Sequence, residues 1–111
     1  MGMKHKVYMD PKAVYSCSHC ETHFTVQSEL VSKNFTGRHG AAYLFHTVAN
    51  VYDGKPCERT MLTGDHIVCD LYCMGCMHIV GWKYIKAFTK TEKYKENKSI
   101  LEISILNRPR K

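Results

Sequence analysis

The stretch YCMGCMHIVGWKY, residues 72–84, holds two cysteines three positions apart and then an aromatic, β-branched run. Two thiols at this spacing let one tight turn aim both at a single ion, but zinc takes four ligands when it plays a structural role. The missing pair lies upstream in YSCSHC, where Cys17 and Cys20 repeat the same spacing. Each pair follows a strand-like segment, AVYSC in one case and HIVCDLYC in the other, so each reads as a knuckle on a β-hairpin. Fifty-two residues separate the pairs, too many for a compact finger. They suit a site that joins two distant parts of a β domain and closes a long loop. The residues therefore point to one structural Zn2+ held by Cys17, Cys20, Cys73 and Cys76. A closed four-thiolate shell leaves no position for water, which argues against metal-assisted hydrolysis.

Around these knuckles the chain reads as short strands. HFTVQSELVSKNF alternates from His23 to Phe35, FTGRHG is a turn, and AAYLFHTVANVY is a strand-forming run that DGKP interrupts. ERTMLTGDHIVCDLYC predicts a hairpin around residues 63–65, because Gly64 tolerates positive φ. HIVGWKYIKAF is a further strand, TEKYKEN a helical turn, and SILEISIL a closing strand. Six to eight strands with little helix signal make the fold mostly β.

At 111 residues the chain is one domain with a thin stability margin, so a metal staple matters. The first residues contain no apolar run of signal-peptide length, and no segment is long and apolar enough to span a membrane. The expected setting is the reducing cytoplasm or nucleus, where six cysteines serve as thiols or metal ligands rather than disulfides. Cys57 and Cys69 lack a partner at metal spacing and read as a small hydrophobe or a surface thiol. His19 and His78 flank the knuckles as supporting or exposed residues. The net charge of +6 comes entirely from residues 83–111, which hold nine basic and three acidic side chains. Such an end meets nucleic acid or an acidic partner, or is simply a solvated face.

With the four cysteines placed, the chain resembles the Yippee family. The family pattern continues through Gly40, Leu44, Asn50 and Gly64, then Gly81, Trp82 and Tyr84 of GWKY, then Lys95 and Glu102. It runs without an insertion over residues 17–102. Many relatives carry Gly where Asn97 stands, and Asn is the next best residue for a left-handed turn. The resemblance implies a two-sheet β-tent pinned at one end by a four-cysteine zinc, like the thalidomide-binding domain of cereblon, methionine-R-sulfoxide reductases and the Mis18 domain. It implies a Yippee domain over 14–106 with tails at 1–13 and 107–111. It also implies nuclear, cytoplasmic or centrosomal residence and a link to cell division, with no established reaction.

Three functions follow as expectations. The first is an interaction module for a protein partner or a small polar ligand. Its surface is built on Trp82 and Tyr84, which share a strand face, with His66 beside them. A ubiquitin-ligase connection follows by analogy with cereblon. The stretch RTMLTGDHIVCDLY holds no tryptophan, so the aromatic cage that binds cyclic imides in cereblon is not implied here. The second is a methionine-R-sulfoxide reductase, which needs a nucleophilic cysteine near the C-terminal strand. No cysteine follows Cys76, no Gly-Trp-Pro segment is present, and no catalytic residue is assigned. The third is single-stranded nucleic-acid binding through Lys83, Lys86, Lys90, Lys93, Lys95 and Lys98, interleaved with Tyr84, Phe88 and Tyr94.

Overall fold

Each cysteine pair is carried where one strand ends and the next begins, and this sets the frame of the molecule. The computed structural model describes residues 13–109. The N-terminal stretch up to residue 12 and the final two residues of RPRK lie outside them. Ten strands are present among the described residues: β1 Val14–Cys17, β2 His23–Val26, β3 Leu30–Gly37, β4 Gly40–Phe45, β5 Val51–Asp53, β6 Cys57–Met61, β7 Gly64–Cys73, β8 Ile79–Ala87, β9 Ser99–Glu102 and β10 Leu106–Asn107. They form the two-sheet, mostly β architecture. A small sheet runs β10-β1-β2, and a large one runs β3-β4-β9-β8-β7-β5, with β6 also paired to β7.

The alternation read from His23 to Phe35 is not one strand. A 3-10 turn at Gln27–Glu29 breaks it, sending β2 into the small sheet and β3 to the edge of the large one. SILEISIL divides in the same way at the turn Ile103–Ile105. Its first half, β9, is buried at all four positions rather than alternating. The reason is packing on both faces of the large sheet. One face meets the small sheet through Tyr15, Phe24, Tyr43, Phe45, Leu71, Val80 and Leu101. The other buries Ala42, Leu44, Val68, Trp82, Tyr84 and Ile100. Successive β4 and β9 residues therefore face two different cores, which makes those strands read as continuous apolar runs.

The β6–β7 hairpin is present, with its tip at residues 62–63 and Gly64 at φ +114° opening β7. TEKYKEN contributes the 3-10 turn Lys90–Lys95. Asn97 adopts φ +67°, the left-handed conformation that its place in the pattern called for.

Candidate metal centre and adjoining cleft

β1 ends at Cys17 and β7 ends at Cys73, both fully buried where the two sheets converge. The two turns that follow are built alike. After the first pair, Cys17 N–H donates to Thr22 O at 2.8 Å and Glu21 N–H donates to Cys17 O at 2.8 Å. After the second, Cys73 N–H donates to His78 O at 2.8 Å and Met77 N–H donates to Cys73 O at 2.7 Å. Both turns close with a left-handed residue, Glu21 at φ +63° and Met77 at φ +64°. The reversal directly after the second cysteine folds the chain back so that both sulfurs point the same way.

The four sulfurs lie within 4.8 Å of one another, with Cys17–Cys76 at 3.7 Å and Cys20–Cys73 at 3.5 Å. A tetrahedral ion with bonds of ~2.3 Å has sulfur–sulfur edges of about 3.8 Å, so the cluster is positioned to bind one metal ion. Without an ion, burial pushes the Cys17 thiol up to about 12 and raises Cys73. Burial acts upward on Cys20 too, but hydrogen bonds from Thr22 and the neighbouring thiols outweigh it and hold Cys20 at about 7. A bound divalent cation displaces these protons and supplies the charge that the buried sulfurs lack.

Surrounding groups brace the sulfurs. Gly75 N–H donates to Cys73 Sγ at 3.3 Å, and Thr22 Oγ1 lies 3.1 Å from Cys20 Sγ. His78 Nδ1 lies 3.2 Å from Cys76 Sγ, and its ring stacks on His19 at 4.3 Å. Cysteine spacing alone does not reveal Thr22, Gly75, Glu21 or Met77. The signal for the last two is their position, since the residue after each pair must reverse the chain. Gly75 is needed for space: a Cβ there would sit 2.2 Å from Thr22 Oγ1 and 2.7 Å from Cys20 Sγ. Gly75→Ala should therefore weaken metal retention about tenfold or more, measured by competition with a chromophoric chelator.

The other two cysteines stand apart from this cluster. Cys69 is buried, and burial raises its thiol. Cys57 is exposed on β6, with Arg59 Nη2 at 3.6 Å.

Trp82 and Tyr84 do share a face, with ring centroids 6.3 Å apart, but both are largely buried in the second core. They do not pack over the metal end. Burial raises the Tyr84 hydroxyl, while the Trp82 indole N–H meets no hydrogen-bond partner. His66 is fully buried behind Tyr84, ring to ring at 5.1 Å, and does not line the surface beside them. Its register explains this, because Arg59 on β6 flanks it on one side and Ala87 on β8 on the other. Its Nδ1 lies 2.9 Å from Gly64 O, while Nε2 meets no hydrogen-bond partner.

What opens to solvent next to Trp82 and Tyr84 is a cleft of about 950 Å³. Residues 34–37 of β3 wall one side, and residues 61–63 of the hairpin tip and the turn Lys90–Lys95 wall the other. Lys95 ties the walls together although it is only 3 % exposed. Its ammonium lies 2.6 Å from Glu92 and 3.1 Å from Thr63 Oγ1, over the rings of Phe35 (5.2 Å) and Tyr84 (5.3 Å). Gly81, Trp82, Tyr84, Lys95 and Glu102, all residues of the pattern read in the sequence, line this one cleft.

Residues 13–108 match the family model described as Yippee zinc-binding/DNA-binding/Mis18, centromere assembly. A yippee-like protein of Arabidopsis thaliana is 52% identical over 89 residues, covering 80% of this chain and 70% of its own length. Protein yippee-like 4 of Homo sapiens is 50% identical over 90 residues, covering 81% and 71%. Among solved structures, the Mis18 'Yippee-like' domain superposes with a TM-score of 0.67 at 13% identity, covering 86% of this chain and 92% of that one.

Proposed function

Because this chain belongs to the Yippee–Mis18 family, we propose that it is a non-enzymatic interaction module, stapled by one Zn2+ on Cys17, Cys20, Cys73 and Cys76, whose cleft captures part of a protein partner. An all-thiolate tetrahedral shell favours zinc, and four protein ligands leave no open position for a reacting water. We take residues 14–106 as the working module, with Asn107 of β10 adding a ladder contact to β1.

One observation carries the partner reading. The cleft rim holds Leu62, which is completely exposed at the hairpin tip, and the half-exposed Tyr94. A large aliphatic side chain standing free beside a built cleft gains most when a partner covers it. The expected experiment is a tagged pull-down from the native cell type with mass-spectrometric readout, comparing the natural chain with a Leu62→Ser/Tyr94→Ala double variant. Both changes lie on the surface, so the fold should survive. Recovery of a defined complex should fall about tenfold, at about 1 kcal/mol or somewhat less per contact. The same complex retained in full would move the contact face elsewhere.

The family's link to centromere assembly supports a partner in nuclear cell-division complexes, whereas residence in the cytoplasm or at the centrosome rests on the family resemblance alone. The ubiquitin-ligase connection rests on the fold analogy alone. No helix among the described residues is long and apolar enough to cross a membrane. A second reading, single-stranded nucleic-acid binding, draws on the exposed Phe88 with Lys86 Nζ 5.1 Å from its ring, and on the exposed Tyr94.

A further inference from the structure

The charged side chains of the cleft cancel in pairs, apart from the exposed Arg38 on its rim and one buried carboxylate. Lys95 is matched by Glu92 at 2.6 Å, and Arg59 by Asp70 at 3.5 Å. Glu102 is 7 % exposed and accepts a hydrogen bond from the His39 backbone N–H at 2.8 Å. Among the described residues, no basic nitrogen comes within ion-pair distance of it. A mostly buried carboxylate that lines the cleft with one backbone hydrogen bond and no cation has acceptor capacity left for a ligand. Its position is set by the ladder: Glu102 pairs with Ala42, which pairs in turn with Phe35. Phe35 and Glu102 thus flank a small methyl, two strands or about 10 Å apart. Trp82 lies on the same face, opposite Ile100 of β9. This aromatic wall already attracts a cation, since Phe35 and Tyr84 hold the ammonium of Lys95 over their rings.

We infer that the cleft recognises a basic side chain of a protein segment, an ammonium or guanidinium on an aliphatic stem, with Glu102 as its counter-charge and Phe35 and Trp82 as the walls for the stem. The inference rests on the cleft being the partner site. An acidic ligand fits less well, because the buried ammonium it would seek is already paired to Glu92. The exposed Arg38 lines the rim, and a ligand cation must displace it or pass beside it.

Trp82 is the single tryptophan of the chain and lines the cleft, so its fluorescence reports occupancy directly. The experiment titrates the metal-loaded chain with N-acetyl-lysinamide, N-acetyl-argininamide, N-acetyl-norleucinamide and N-acetyl-glutamate amide. The basic probes should shift the Trp82 emission saturably and bind about tenfold tighter than norleucinamide, with the preference lost in Glu102→Gln. Phe35→Leu provides a second variant if Glu102→Gln fails to fold, and it should weaken the basic probes selectively. Equal binding of norleucinamide, tighter binding of the glutamate probe, or full selectivity retained in Glu102→Gln would each overturn the inference. If the Leu62→Ser/Tyr94→Ala variant loses its complex while the probes show no charge preference, the partner site stands and the counter-charge role falls. Selective probe binding with the complex retained supports Glu102 and removes the partner from the cleft.

Discussion

A Cys73→Ala chain should not fold, whereas Cys69→Ala, four residues away on the same strand, should fold with only modest loss. Both side chains are buried, Cys73 at 0 % and Cys69 at 1 % exposure, so burial alone does not separate them. Removing the Cys69 thiol leaves a small cavity, worth about 1 kcal/mol. Removing Cys73 takes one of four sulfurs from the ion and leaves the other three without a closed shell. Structural zinc contributes roughly 10–16 kcal/mol to folding in small domains, comparable with the whole 5–15 kcal/mol of a typical native state. The long loop between the knuckles then loses its clasp. Circular dichroism melts of the three chains provide the check: a shifted transition for Cys69→Ala and no cooperative transition for Cys73→Ala.

Gly81→Ala should be nearly as damaging, although it adds one methyl group. A Cβ at position 81 would lie 1.8 Å from the Ile100 carbonyl oxygen, 2.8 Å from its carbon and 3.1 Å from Leu101 Cα. All three are backbone atoms, so no side chain can rotate away. Relief requires β8 and β9 to separate, and that breaks a ladder in which Gly81 pairs with Leu101 and Trp82 with Ile100. The expected cost is about 4 kcal/mol or more, seen as a lost or much earlier urea transition. Gly40→Ala is the comparison. Nothing lies within 4 Å of its added Cβ, and φ +109° leaves only backbone strain, about 1–3 kcal/mol.

The metal centre was legible because a coordination shell imposes fixed spacing on residues of few types. Cys17, Cys20, Cys73 and Cys76 announced themselves, and the structure gathers their sulfurs. The shared face of Trp82 and Tyr84 followed from strand period alone. Sheet membership did not, because alternation cannot tell which sheet a strand joins. The breaks at Gln27–Glu29 and Ile103–Ile105 show no glycine or proline to mark them. His66 read as a site residue beside a turn, but β6 and β8 close over it from either side. The cleft was the least legible feature. Its Thr63–Glu92–Lys95 hub joins segments about thirty residues apart, and Glu102 is reached only through the pairing of β9 with β4. Lys95 and Glu102 were visible as pattern residues without a role, and the fold supplies one for each.

Native mass spectrometry of the intact chain, before and after a strong chelator, asks whether a single zinc holds this fold together. One zinc per chain is expected in compact charge states, with extended charge states appearing as the ion is stripped. A chain that stays compact without any metal would contradict that expectation.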